Sequence, residues 1–340
     1  MATFHDILTK LASGETLSDA EAEFAVGELM SGEVDAAQGA GFLMAMRVRG
    51  ETVPEITGGA RALRARMIRV NAPDNAVDTC GTGGDAHGTF NVSTAVAFVL
   101  AGAGVPVAKH GNRSVSSKSG SSDVLAALGV NLDAPLAATE RAIKEAGIGF
   151  LFAPRHHGAM RHVAPVRQSL RLRTLFNLLG PLANPAGVKR QVLGVYSEEW
   201  LMPLAEVLRE LGATSAWIVH GADGLDELST TGENKVVALK DGKITEMVVS
   251  PSDVGLPTAN LKDLVGGDAD ENAKALLRLL EGEEGPYRDI VLMNAAAGMV
   301  VAGRATGISE GIHIAKSSID AGAAKKALTE LIRITGEVVG

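Results

Sequence analysis

A chain of 340 residues with 46% hydrophobic content can bury a large core and is long enough for one large domain or two unequal ones. Its net charge of −8 and 4% aromatic content weigh against a broad nucleic-acid surface, an anionic-membrane surface or a base-stacking platform, so a small ligand is expected. A single cysteine, Cys80, excludes an intramolecular disulfide and a Cys-based structural zinc site. With no leader-like N-terminus and no apolar run of about 20 residues, the chain is expected to be soluble and cytoplasmic.

Ser18-Asp19-Ala20-Glu21 and Thr52-Val53-Pro54-Glu55 have the form of capping boxes, each followed by residues at helical spacing, so the first seventy residues are expected to be a helical unit. The alanine- and methionine-rich stretch 36–46 suits close helix packing, within the chain or against a second subunit. After a linker at 71–75, short apolar runs alternate with helices. The strands expected are 76–79, 105–108, 148–153, 191–196 and 215–220, which argues for a mainly parallel sheet covered by helices, with ligands at its carboxyl edge. Residues 177–185 should stop a helix in a rigid turn, 235–249 should form a hairpin around Asp241-Gly242, and 273–280, 289–301 and 313–334 should be closing helices.

Most of the chemistry lies between Val77 and Gly129. Gly81, Gly83 and Gly84 can turn backbone amides inward as an anion-binding nest, and Asn91-Val92-Ser93-Thr94 then opens an apolar helix whose N-terminus favours phosphate. From Ala86 to Ser122 there is no carboxylate, while Lys109, Arg113 and Lys118 fall inside, among serines. The loose dinucleotide-binding pattern beginning at Gly81 lacks its distant carboxylate, and no glycine precedes Lys118 as a P-loop requires. A phosphorylated ligand fits better. Asp226-Glu227, in the loop after the 215–220 strand, suits a magnesium ion shared with phosphate oxygens, and Ser93 could add a hydroxyl. His156 and His157 lack metal spacing and are expected to line a cavity or satisfy a core hydrogen bond; Cys80 is expected to be a small buried residue.

In order along the chain, Gly81-Thr82-Gly83-Gly84-Asp85, Asn91-Val92-Ser93-Thr94, Lys109-His110-Gly111-Asn112-Arg113, the run from Ser119 to Leu125, Val163-Ala164-Pro165-Val166-Arg167, the run from Arg173 to Pro181 and Asp226-Glu227-Leu228 resemble the motifs of the anthranilate phosphoribosyltransferase family. The resemblance covers essentially the whole chain. It implies an α/β fold: a small all-helical N-terminal domain, residues 1–73 with part of 160–190 returning to it, and a larger α/β domain, 74–340, with a mainly parallel central sheet. It implies further that Gly81, Gly84, Asp85, Thr89, Asn91, Val92, Ser93, Thr94, Lys109, His110, Gly111, Asn112, Arg113, Ser114, Val115, Ser116, Ser117 and Ser121 contact phosphoribosyl pyrophosphate. Ser93, Asp226 and Glu227 would hold a pair of magnesium ions, Asn112 and Arg167 would meet anthranilate with Gly81, His110 and His157 nearby, and the molecule would be a homodimer joined through its helical domains. One departure is Gly158, where the family often has proline after the histidine, which leaves that turn less rigid. The rival readings are a nucleoside phosphorylase of the same fold and a non-catalytic binder of phosphate backbones; the acidic pair Asp226-Glu227 and the long polar loop disfavour the first, and the net charge disfavours the second.

Overall fold

A computed structural model describes residues 3–84, 87–113 and 118–337. Four helices, Phe4–Ala12, Asp19–Ser31, Ala36–Arg49 and Val53–Arg66, come first. Both expected capping boxes form: Glu21 accepts from the Ser18 N–H at 2.8 Å and Glu55 from the Thr52 N–H at 2.8 Å. Thr3 and Asp6 make a third box that the sequence reading did not single out. Glu55 is wholly buried because it also accepts from the Leu17 N–H and pairs with Arg49, so its charge is met on several sides.

The sheet that follows has seven strands in the order β3-β2-β1-β4-β5-β6-β7. Strands β1 (Val77–Gly81), β2 (Val107–Gly111), β3 (Ile148–Phe152), β4 (Arg190–Gly194) and β5 (Ser215–His220) are parallel. The antiparallel hairpin of β6 (Asn234–Lys240) and β7 (Lys243–Val249) closes one edge. Its turn is the expected Asp241-Gly242, both at positive φ, which matches the twist of the two strands.

Alternate residues of each strand feed different cores. Val77, Val107, Val192 and Val219 join the helices Val92–Gly102 and Pro286–Ala302 on one side. On the other, Leu193, Ala216 and Ile218 join the helices Leu175–Leu182 and Leu201–Glu210, together with Ile56, Ala60 and Leu63 of the N-terminal helices. Residues 163–183 therefore share a core with the first four helices, although 100 residues separate them in sequence.

Three expectations need correction. Lys109, His110 and Gly111 are not loop residues: β2 pairs with β3 through Gly111↔Phe152, because that pairing satisfies their backbone groups. The closing helix expected over 313–334 is two helices, Ile308–Asp320 and Ala323–Gly336, broken at Gly322, whose φ is 71°. Within 177–185, helix Leu175–Leu182 runs on through Pro181 and the turn comes only after it.

Candidate active site

β1, β2, β4 and β5 all end on one edge of the sheet, and the acidic loop after β5 lies across the ends of β1 and β4. A Cβ on Gly194 would stand 1.4 Å from the Asp226 carbonyl oxygen, and one on Gly81 would stand 2.1 Å from Asp226 Oδ2. Only glycine at these strand ends admits the loop. Buried Asn294 fixes it from behind, accepting from the Leu228 N–H at 2.9 Å and donating to the Leu228 carbonyl at 2.7 Å. Asn234 does the same at Ser229, at 2.6 Å and 2.9 Å.

Held this way, the two carboxylates reach the glycine loop and the start of helix Val92–Gly102. Asp226 Oδ2 accepts from the Gly83 N–H at 2.7 Å, and Glu227 Oε1 accepts from the Ser93 N–H at 3.0 Å, at the positive end of the helix dipole. Ser93 Oγ in turn accepts from Lys109 Nζ at 3.3 Å. Ser93, Asp226 and Glu227 thus converge as a hydroxyl and two carboxylates, the hard oxygen donors magnesium takes. Among the described residues no group of three or more His, Cys, Asp or Glu could enclose a metal. A site of this kind fits an ion that completes its shell with water and substrate oxygens.

Lys109 is 2% exposed and its ammonium also donates to the Thr79 carbonyl at 2.6 Å, so it is an internal cation behind Ser93 rather than an open one in the polar loop. Burial lowers its pKa, opposed by the neighbouring acids, chiefly Asp78. Asp78 is itself buried, accepting from the His110 N–H at 3.1 Å and from Asn184 Nδ2 at 2.7 Å, and burial raises its pKa. The glycine loop is less open than the sequence suggests, since Thr82 N–H is taken by the Gly194 carbonyl and Gly83 N–H by Asp226. The Gly84 carbonyl accepts from Arg173, whose guanidinium lies 3.9 Å from the centre of the Tyr196 ring.

Toward the domain of the first four helices, His110 and His157 place their rings 5.1 Å apart, both buried. Burial is the main force lowering the His110 pKa to about 3 and that of His157 to about 4; nearby histidines add to it and the carbonyls of Gly180 and Ala183 oppose it. Both are therefore neutral near pH 7. The folded values lie below the ordinary histidine value of about 6.5, so as pH falls the unfolded chain takes up protons that the folded chain refuses. Stability should hold above about pH 6.5 and decline as pH drops toward about 4, as thermal melts at a series of pH values would report. His157→Asn should flatten that decline, and an unchanged slope in the variant would contradict the assignment. Arg167, half-buried, lies 5.8 Å from the centre of the Phe176 ring, and burial lowers its pKa.

Sequence profiles of the glycosyl transferase family match this architecture in two parts: the helical bundle domain over residues 5–67 and the a/b domain over residues 73–325. Over 335 residues the chain is 56% identical to an anthranilate phosphoribosyltransferase of Parvibaculum lavamentivorans, covering 98% of both. The chain belongs to the anthranilate phosphoribosyltransferase family. The crystal structure of anthranilate phosphoribosyltransferase from Thermus thermophilus superposes with a TM-score of 0.93 at 46% identity, covering 98% of this chain and 100% of that one. Two structures of the Saccharomyces cerevisiae enzyme, one in complex with PRPP and Mg and one with 4-fluoroanthranilate, match at 29% identity with TM-scores of 0.90 and 0.89, each covering 98% of both chains.

In this member of the anthranilate phosphoribosyltransferase family, the side chains of Val92 and Thr94 are buried, so what they offer a ligand is backbone. Thr89 bridges to Val265, and Asn91 accepts from Asn272 while donating to the Ser119 carbonyl, which ties the helix start to the polar loop. Asn112 is exposed; its carbonyl accepts from Ser121 Oγ at 3.3 Å, and Gly111 lies against Ser121 and Phe150. Arg113 is exposed near the Phe152 ring. Asp85, Ser114, Val115, Ser116 and Ser117 lie outside the described residues. The Gly158 departure has left His157 buried, while its neighbour His156 bonds the Ile68 carbonyl through Nδ1 at 3.0 Å. Cys80 is half-buried rather than buried as expected; its Sγ accepts from Gln191 Nε2 and desolvation pushes its pKa well up, in keeping with an inert thiol. The sequence reading assigned no role to Asn234, Asn294, Asp78 or Tyr196, and quoted Arg173 only as part of a motif. A lone asparagine such as Asn294, far along the chain from the loop it holds, carries no local signal of that role.

Proposed function

We propose that the chain transfers the phosphoribosyl group of phosphoribosyl pyrophosphate (PRPP) to the amino group of anthranilate, giving N-(5-phosphoribosyl)anthranilate and pyrophosphate in tryptophan biosynthesis. The observation that carries this reading is the convergence of Asp226, Glu227 and Ser93 on the glycine loop at one sheet edge. The family's fold over the full length of the chain supports it.

In this reading the donor lies against Gly81, Gly84 and the residues beyond them, the start of helix Val92–Gly102, and residues 109–121. Ser93, Asp226 and Glu227 would hold a pair of magnesium ions, which would supply Lewis acidity to the pyrophosphate leaving group. The chain's own part is positioning and fixed charge. Helix-start amides meet the donor phosphates, and the Lys109 ammonium behind Ser93 adds positive potential under them. A preorganised donor of this sort lowers a barrier by about 3 kcal/mol. As the C1–O bond breaks, its electron pair leaves with pyrophosphate, the C1–N bond forms and the nitrogen gives up one proton to water; no side chain serves as a covalent nucleophile.

On the acceptor side, Arg167 pairs with the anthranilate carboxylate in a fork that lysine cannot reproduce, while Asn112 and the neutral His110 and His157 line the pocket. Arg167→Lys should raise KM for anthranilate by about tenfold, the scale of one charge-assisted bond, and KM for PRPP much less. Steady-state kinetics with each substrate varied would decide it, and equal rises in both would count against the role. Residues 163–183 share the core of the N-terminal helices, which supports a 1–73 helical domain joined by returning segments to 74–340, with hinge closure bringing amine to sugar and excluding water. The molecule is a homodimer through the helical domains in this reading. It works in the cytoplasm, and among the described residues no helix is long and apolar enough to cross a membrane. Mass analysis of the product formed from anthranilate and PRPP tests the proposal; phosphate-dependent cleavage of a nucleoside instead would favour a phosphorylase.

A further inference from the structure

Three observations meet at the glycine loop, and the parts played in them by Arg173 and Tyr196 belong to none of the roles above. The loop's two left-handed residues, Gly83 at φ 68° and Gly84 at φ 82°, are each tied by a charged side chain: Asp226 on the Gly83 N–H and Arg173 on the Gly84 carbonyl. The Arg173 guanidinium packs on the face of Tyr196, 3.9 Å from the ring centre, and Gly84 lies so close that a Cβ there would stand 3.0 Å from Arg173 Nη2. Tyr196 is in turn fixed to the same loop and to the helical turn Glu198–Trp200. Its N–H donates to Thr82 Oγ1 at 3.1 Å, and its hydroxyl accepts from Trp200 Nε1 at 3.0 Å.

Arg173 comes to this position through a sharp reversal. Helix Ala164–Leu170 ends at Arg171, at φ 49°, and helix Leu175–Leu182 begins after Thr174, whose N–H donates to Asn177 Oδ1 at 3.0 Å. Rigid helices on both sides leave Arg173 little freedom to wander. One short segment therefore carries Arg167 on the acceptor side and Arg173 on the donor side.

We propose that Arg173, stacked on Tyr196, is a positioning residue for the donor: by holding the Gly84 carbonyl it keeps the glycine loop in the left-handed turn that presents its backbone to the phosphates of PRPP. A planar guanidinium suits the task because it can lie flat on the ring while its edge donates in the same plane. Lysine supplies the charge without the plane. The inference rests on the PRPP reading given above and adds to it a residue that need not touch substrate.

The test combines calorimetric titration of PRPP with magnesium and steady-state kinetics on the full chain. Arg173→Ala should weaken PRPP binding and raise its KM by about tenfold to a hundredfold, the span of one lost charge-assisted hydrogen bond. KM for anthranilate should move by less than about twofold, and added guanidinium ion, but not Arg173→Lys, should restore donor binding. Tyr196→Leu should act in the same direction, and the double variant should be no worse than Arg173→Ala alone, because the two act as one unit. Should Arg173→Ala fail to fold, Tyr196→Leu carries the same comparison. PRPP binding unchanged in both variants, or both Michaelis constants rising together, overturns the role of Arg173. A wild-type chain that binds no PRPP overturns the underlying reading instead.

Discussion

Replacing Gly194 with alanine is expected to abolish measurable phosphoribosyl transfer and to cost about 3 kcal/mol of stability, the upper range for forcing an extra methyl group into a packed site. The new Cβ would stand 1.4 Å from the Asp226 carbonyl oxygen, a backbone atom that no rotamer change can move aside. Asn294 and Asn234 clamp Leu228 and Ser229 just beyond it, so the loop cannot lift locally without breaking buried hydrogen bonds. Displacing Asp226 also releases the Gly83 N–H, so the glycine loop should be disturbed with it. Thermal melting and donor-dependent turnover, measured on the same preparation, check both halves. A variant that melts and turns over like the parent would mean that the loop does not rest on β4 as described.

The double substitution Asp226→Asn and Glu227→Gln separates charge from shape. Each introduced amide oxygen can still accept the hydrogen bond now made by Gly83 N–H or Ser93 N–H, so the loop should keep its place. What disappears is the negative charge that, in the proposed reading, would hold magnesium against a pyrophosphate already rich in charge. Turnover should fall by about a thousandfold or more, the scale seen when a preorganised electrostatic contact to a transition state is removed. Circular dichroism and the melting temperature should stay near those of the parent. Activity within about tenfold of the parent, with magnesium dependence intact, would place the metal elsewhere.

Much of this was legible in the chain itself, and what was not has definite physical causes. Capping boxes at Ser18 and Thr52, the Asp241-Gly242 turn and the alternation of apolar runs with helices are local signals, and all of them appear in the structure. Strand ends were less legible because pairing decides them: Lys109 and His110 read as polar loop residues, yet β3 recruits them into the sheet. That Asp226 and Glu227 would work with Ser93 and the glycine loop could be inferred from chemistry, since an acidic pair, a helix start and a glycine cluster together suit a phosphate ligand with its cation; in the fold Asp226 meets Gly83 and Glu227 meets Ser93. The clamps formed by Asn294 and Arg173 could not, because each acts across the fold on a backbone group, and backbone groups leave no trace in sequence; Asn234 acts nearby, on Ser229, but again on backbone groups. Lys109 shows the same limit from the other side. Its charge was visible, but its burial behind Ser93 depends on neighbours brought together only by β1 and the helix Val92–Gly102.

The central claim is that the edge formed by the glycine loop, Ser93, Asp226 and Glu227 binds PRPP with magnesium and delivers its sugar to anthranilate. The most direct measurement follows anthranilate fluorescence after mixing the chain with PRPP, with and without magnesium. The account predicts a steady loss of signal that requires both the donor and the metal and that disappears in the Asp226→Asn/Glu227→Gln variant. Undiminished fluorescence in the presence of folded protein, PRPP and magnesium would contradict it.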